Sequence, residues 1–215
     1  MSAAKARGSQ TATRVMGVII LIFALIGFVT VVVLAGKGIA LLFDNSEERR
    51  RYGNQISSLV MLDPMPFDDV SKIQQEVAAE ACIMEIAKNN SGEETYEYDT
   101  EGRMLVPVSE IQAQAEKMFG PDVTLDLTAL DYDGSPYRYN GEEDSVHVPI
   151  TGYTYLYYPR VESIRHSDGV TTLHVAYMPT SVSADPAEVQ PEKYMDYVLE
   201  GEKGSEIITA VKLAE

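Results

Sequence analysis

The chain reads as an α+β protein: an N-terminal transmembrane helix followed by one domain with two helices packed on a curved antiparallel sheet. Three observations predict this. Val15 to Leu34 is an unbroken run of twenty uncharged, mostly apolar residues, and a helix of that length covers about 30 Å, the thickness of a bilayer's hydrocarbon core. Between residues 68 and 119 apolar residues recur at three- and four-residue steps, the period of an amphipathic helix. Beyond Pro121 the pattern alternates, with turn dipeptides at Asp133-Gly134 and Asn140-Gly141. Helices first and strands after, in a stretch long enough for one core, give the α+β order.

The apolar run exceeds the roughly 7 to 15 residues of a cleaved signal peptide. Lys37 follows Leu34-Ala35-Gly36, where a lipoprotein would carry its cysteine. The expected organisation is a cytoplasmic tail over 1–14, a transmembrane helix over 15–36, a juxtamembrane linker over 37–62 and an extracytoplasmic α+β domain over 63–215. Basic residues flank the run on both sides: Lys5, Arg7 and Arg14 before it, Lys37 and Arg49 to Arg51 after it. Lys37 can snorkel to the interface, and the arginines lie about 15 residues past Leu34, where basic residues lose their influence on topology. The expected placement is the cell membrane, single-pass, with the N-terminus inside and the domain outside. The bilayer is thus the first expected partner. Arg49, Arg50 and Arg51 are open to two readings, contact with anionic headgroups or a solvated linker.

All 33 acidic residues fall from Asp44 onward with 13 of the 17 basic ones, a balance of −20 for that part of the chain. Such a surface repels phosphate backbones, so nucleic acid is not an expected partner, while cations and basic ligands are favoured. Cys82 is the single cysteine, so no intrachain disulfide forms, and its apolar helical neighbours predict a buried, inert thiol.

Ser46 is placed to cap a short helix over 47–52, which Gly53 opposes. Asp63-Pro64-Met65-Pro66-Phe67 is extended, because each proline sets its own φ and keeps its predecessor out of helical geometry. Asp68 or Asp69 then caps a helix to about Asn89, with Val70, Ile73, Val77, Ala81 and Met84 along one stripe. Residues 96–99 and 103–106 pair as a hairpin around Glu101-Gly102. Pro107 opens a second helix, lined by Val108, Ile111, Ala115, Met118 and Phe119, and Gly120-Pro121 stops it. Strands are expected near 137–139, 145–148, 154–166, 170–178, 194–200 and 206–213, with a tight turn at Asp168-Gly169 and a longer loop over 181–191.

This order of elements resembles cystatin-like and nuclear-transport-factor-like cone folds. It carries no functional residues with it. Taken together, the N-terminal run, Asp63-Pro64-Met65-Pro66-Phe67-Asp68, Tyr98-Asp99-Thr100-Glu101-Gly102-Arg103 and Met118-Phe119-Gly120-Pro121 resemble a group of uncharacterised single-pass membrane-anchored proteins of Gram-positive, clostridia-like bacteria. That resemblance implies placement in the envelope and no known activity.

Candidate chemistry is sparse. With Asp168-Gly169 as a two-residue turn, Ser167 pairs with Val170 and Ser163 with His174, which puts His166 and His174 on opposite faces of the hairpin. A three-residue loop instead leaves them about 13 Å apart along the strands. Neither register builds a shared metal site, and all three histidines, His147 included, read as partly exposed strand residues. Asp131, Asp133, Ser135 and Glu142 have an EF-hand-like spacing, but Pro136 stands where the loop needs glycine. A looser calcium site at Asp131, Asp133 and Glu142, with Glu143 and Asp144 beside it, is the metal candidate. No nucleophile elbow, zinc-protease pair or phosphate loop is present. Tyr153, Tyr155 and Tyr157 alternate onto one sheet face, with Tyr158 on the other. This row serves as a ligand or partner surface or packs beneath the helices. No cofactor is expected. The expected function is a membrane-anchored extracytoplasmic binding or assembly module beside an envelope protein. The alternative is a membrane-tethered hydrolase using a carboxylate pair or a divalent metal.

Overall fold

The computed structural model describes residues 45–89, 96–150, 155–180 and 189–214. Helix α1, Ser46–Met61, buries Tyr52, Ile56, Leu59 and Val60, an i, i+4, i+7, i+8 stripe. Each such apolar side chain contributes about 1.5–3 kcal/mol on burial, which outweighs the roughly 1 kcal/mol that Gly53 costs a helix interior. The helix therefore runs through the glycine, across the second half of the expected linker. Asp63, at φ 51°, ends it, and the proline-rich segment that follows is extended.

Phe67 exchanges both backbone hydrogen bonds with Val211 (2.8 and 2.9 Å). Asp69 caps only a single 3-10 turn, Val70–Lys72, because Ile73 is extended at φ −63°, ψ 142°. Helix α2, Gln75–Asn89, starts after it and buries Ala78, Ala79, Ala81, Cys82, Ile83 and Ile86. Strand β1, Met104–Pro107, leads directly into α3, Val108–Phe119, which Gly120 closes at φ 103°. A 3-10 turn, Leu127–Leu130, precedes β2, Arg138–Asn140, and β3, Ser145–Val148.

Two antiparallel sheets result. One has the order β1-β3-β2; the other is a meander of β4 (Tyr157–Ser167), β5 (Val170–Pro179), β6 (Lys193–Glu200) and β7 (Ile207–Leu213). The β4–β5 hairpin has Asp168 at φ 51° and Gly169 at φ 79°, and pairs Ser167 with Val170 and Ser163 with His174, the two-residue register. The inner face of the meander presents Leu173, Val175, Tyr177, Met195, Tyr197 and Leu199 to a core that includes the α1 stripe, α2, α3 and Val146 and Val148 of β3.

The expected architecture is thus corrected. There are three helices and two sheets among the described residues rather than two helices on one curved sheet, because β1 and β2 both pair with β3 and leave the meander. No helix among the described residues is long and apolar enough to cross a membrane. The run 15–34, where the transmembrane helix was expected, lies outside the described residues.

Helix α1 is fastened by Glu206, whose side chain is 3% exposed. Arg51 donates to both carboxylate oxygens (3.1 and 3.2 Å), Tyr52 Oη donates at 2.6 Å and the Gly204 N–H at 2.6 Å. Gln55 Nε2 donates to the Glu206 carbonyl at 2.7 Å. Burial works to raise the carboxyl's pKa, but the bonds from Arg51, Tyr52 and Gly204 outweigh it and pull the group down from 4.5 to about 2. The arginine triplet therefore does not act as one unit of solvated linker: Arg51 is an internal tie.

Two outcomes follow from this packing. A Cβ on Gly53 would lie 3.9 Å from Val161 Cγ2, ordinary contact, so Gly53→Ala is expected to stabilise the full chain by about 0.5–1 kcal/mol in urea denaturation. Because the folded carboxyl of Glu206 is depressed, its contribution is complete above the unfolded value of 4.5 and disappears as pH falls towards about 2. The stability difference between the wild type and Glu206→Gln should be constant above about pH 5.5 and shrink steadily below it. A difference independent of pH would contradict this assignment.

Candidate functional site

The most convergent polar arrangement surrounds His147. Val146 and Val148 of β3 are buried in the core, so alternation sends Ser145 and His147 to the other face. The strand partners of His147 are Leu105 on β1 and Arg138 on β2. Its Nδ1 lies 2.8 Å from Asp99 Oδ2 and its Nε2 lies 3.1 Å from Glu143 Oε2.

Each carboxylate comes from a tight turn. Asp99 Oδ1 accepts the backbone N–H groups of Glu101 (2.8 Å) and Arg103 (2.9 Å), closing a turn whose Gly102 sits at φ 75°. That leaves Oδ2 for the imidazole. The Arg103 N–H and then His147 hold the Asp99 carboxyl below its ordinary value. On the other side Asn140 Oδ1 accepts the N–H groups of Glu142 (3.1 Å) and Glu143 (3.4 Å), and Asp144 takes φ 49° to complete the β2–β3 turn. This brings Glu143 back over His147.

Around the pair lies an open basin of about 620 Å³, lined by Tyr98, Arg103, Arg138, Tyr139 and Asn140 with the three titratable groups. Arg103 is ion-paired with Glu101. Arg138 Nη1 donates to the carbonyls of Ser135 and Tyr137, both at 2.9 Å. The arrangement orients an imidazole firmly at both ring nitrogens, which suits ligand recognition. A Ser, Thr or Cys nucleophile activated by a histidine has to be bonded to it, and among the described residues no serine, threonine or cysteine side chain is hydrogen-bonded to His147. The two carboxylates sit at opposite ends of the ring, so they do not face one ion. Among the described residues no three His, Cys, Asp or Glu side chains are placed to hold a metal.

The residues singled out in the sequence are dispersed. Asp131, Asp133 and Glu142 are each exposed to solvent. Tyr153 lies outside the described residues, and Tyr155 and Tyr157 are half-buried. Tyr157 packs edge-on against the buried Tyr177 at 5.4 Å and donates to Glu192 at 2.7 Å, with Lys193 Nζ 4.8 Å from the Tyr177 ring centre. Tyr157 therefore lies at the margin of the core. Tyr158 is exposed on the opposite face, as alternation requires.

His174 stacks on Tyr194 at 5.0 Å and lies 2.8 Å from Asp196, while His166 meets Thr171 at 3.0 Å. Cys82 is buried, its thiol pushed up by desolvation. Glu80 is pushed up by burial and accepts from Tyr132 Oη at 2.7 Å.

Sequence reasoning treated His147 as a lone strand residue. One local signal points to its role: Glu143 precedes it by four residues across the Asn140-Gly141 turn. Asp99 is 48 residues away and only folding reveals it. Comparison with protein-family profiles, with curated proteins and with solved structures finds no match to this chain.

Asp99→Ala removes the acceptor that organises the 99–103 turn and one of the two restraints on His147. Hydrogen exchange at the Glu101 and Arg103 amides should accelerate by about tenfold or more, while the amides of β5 and β6 keep their protection. Unchanged exchange at those two amides would show that Asp99 does not hold the turn.

Proposed function

We propose that this chain is a binding module tethered to the cell membrane through its apolar run 15–34, with the basin around His147 as its working surface and a component of the cell envelope as its partner. One observation carries the reading: a half-buried histidine, held at both ring nitrogens by carboxylates that two separate turns deliver, stands among exposed aromatic and polar side chains. Ordering three titratable side chains costs conformational entropy, and a few precisely placed polar groups beside aromatic side chains in a concavity are what orients a ligand at a recognition site. The apolar run and the acidic balance beyond it motivate the membrane placement and the absence of nucleic acid from the partners. For the hydrolase alternative, no three metal ligands converge among the described residues, and the two carboxylates beside His147 are both turned onto its ring nitrogens.

Two measurements test this. In intact cells Lys203→Cys should react with a membrane-impermeant maleimide and Ser9→Cys should not, since the native Cys82 is buried; the reverse pattern would overturn the placement. A photo-reactive residue replacing Tyr98 in the full chain should give a reproducible adduct in native membranes, weakened several-fold by His147→Ala. An adduct no stronger than that from the exposed Lys117 position on α3 would overturn the basin as the working surface.

A further inference from the structure

We propose that His147 and Glu143 form a proton-operated latch: Glu143 lies against the ring while the imidazole carries a proton on each nitrogen, and swings out to solvent when Nε2 loses its proton. The latch rests on the bonding of the ring and not on what the basin binds, so its failure leaves the reading of the working surface untouched.

The count of donors and acceptors separates the ring's two protonation states. A neutral imidazole has one N–H donor and one bare nitrogen, an imidazolium has two donors, and an ionised carboxylate only accepts. Nδ1 of His147 lies 2.8 Å from Asp99 Oδ2, and Nε2 lies 3.1 Å from Glu143 Oε2. With both carboxylates ionised, only the imidazolium fills both bonds. A neutral ring turns one nitrogen lone pair onto the lone pairs of a carboxylate, and that contact has to open.

The two contacts differ in which partner is free to leave. Asp99 is fixed by the amides of Glu101 and Arg103 on its other oxygen, and its side chain is only 15% exposed. The Glu143 side chain is 55% exposed, and its turn is closed through the backbone by Asn140 Oδ1, so the carboxylate can depart while the turn stays shut. The remaining N–H therefore stays on Nδ1, where the partner cannot move, and Nε2 is the nitrogen that empties. The other charged and titratable groups lining the basin are Tyr98, Glu101 and Arg103 from the turn before β1, and Arg138 and Tyr139 from β2; β1 offers the uncharged Leu105. Arg103 pairs with Glu101 and Arg138 Nη1 donates to two carbonyls. Among the described residues neither guanidinium is bonded to Asp99 or Glu143, so the imidazolium is the cation these carboxylates share. Glu142, exposed beside Glu143, belongs to no converging set of metal ligands among the described residues.

The test is a magnetic-resonance titration of the full chain in detergent micelles, labelled at histidine ring nitrogens and glutamate carboxyl carbons. It runs from about pH 5.5 to 8.5, the range over which imidazoles change charge. His147 is assigned through His147→Gln, or by elimination through His166→Gln and His174→Gln if that variant does not fold, and Glu143 through Glu143→Gln at its exposed turn position. The neutral ring is expected to keep its proton on Nδ1. The Glu143 carboxyl signal should shift in step with the ring, and the Overhauser contacts between the Glu143 side chain and the His147 ring should disappear as the ring is neutralised, while the amides of Glu142 and Glu143 keep their shifts. A neutral ring protonated on Nε2, Overhauser contacts that persist above the ring's titration, or a ring neutral throughout with the proton on Glu143 would each overturn the latch.

Discussion

Glu206 is an ionised side chain almost sealed from water, and a charge in that position persists only if its neighbours replace the water it has lost. Arg51, Tyr52 and the Gly204 amide supply those bonds, and Gln55 holds the adjoining carbonyl. Three of the four donors belong to one face of α1. The helix and the β6–β7 connection thus fix each other, and the apolar stripe of α1 joins the same core cluster as the inner face of the meander. A buried ion pair is a poor source of net stability compared with an apolar replacement. Its value here is register, since Arg51 and Tyr52 meet Glu206 only at one rotation of the helix.

That registration reaches the rest of the fold through shared packing. Tyr177 and Tyr197 join hydroxyls at 2.6 Å inside the meander, giving two buried phenols a polar partner each. Phe67 ties the chain after α1 to β7, and α2 packs on α3, which in turn touches β1 and β7. The smaller sheet rests on this core through Val106, Val146 and Val148. Its outer face carries His147 between two turns that have little freedom of their own. The basin is therefore a rigid surface feature on a packed support, the arrangement that recognition without large rearrangement requires.

The legible parts of the fold are those governed by neighbours in the chain. Asp168-Gly169 takes positive φ at both residues, which selects the two-residue turn and sets the pairing from Ser167 to Ser163, beyond which a bulge between Val161 and Ser163 shifts it by one. Gly120 stops α3 where the sequence says it must, and strand β3 spans the alternating residues 145–148. Of the two candidate caps, Asp68 and Asp69, Asp69 takes the role, yet the helix it caps is one 3-10 turn, since Ile73 is extended before α2 begins. Gly53 weighed locally against α1, and the core outvoted it. The tyrosine row showed its alternation but not its depth: Tyr157 leans on Tyr177, a contact across strands that no spacing encodes.

By itself, the sequence determined the α+β composition, the stop of α3 at Gly120, the place of the Asp168-Gly169 turn, the acidic balance and the isolated thiol, because each depends on dihedral preference, periodicity or a simple count. Tertiary structure alone decided that β1, β2 and β3 leave the meander for a sheet of their own, that Arg51 reaches Glu206 across 155 residues, and that Asp99 meets His147 across 48. The reason is physical: a strand's pattern says that it will pair and which face it buries, while the partner is chosen by the packing of the whole chain. Side chains that share a site are then neighbours only because distant turns are brought to the same edge of the sheet.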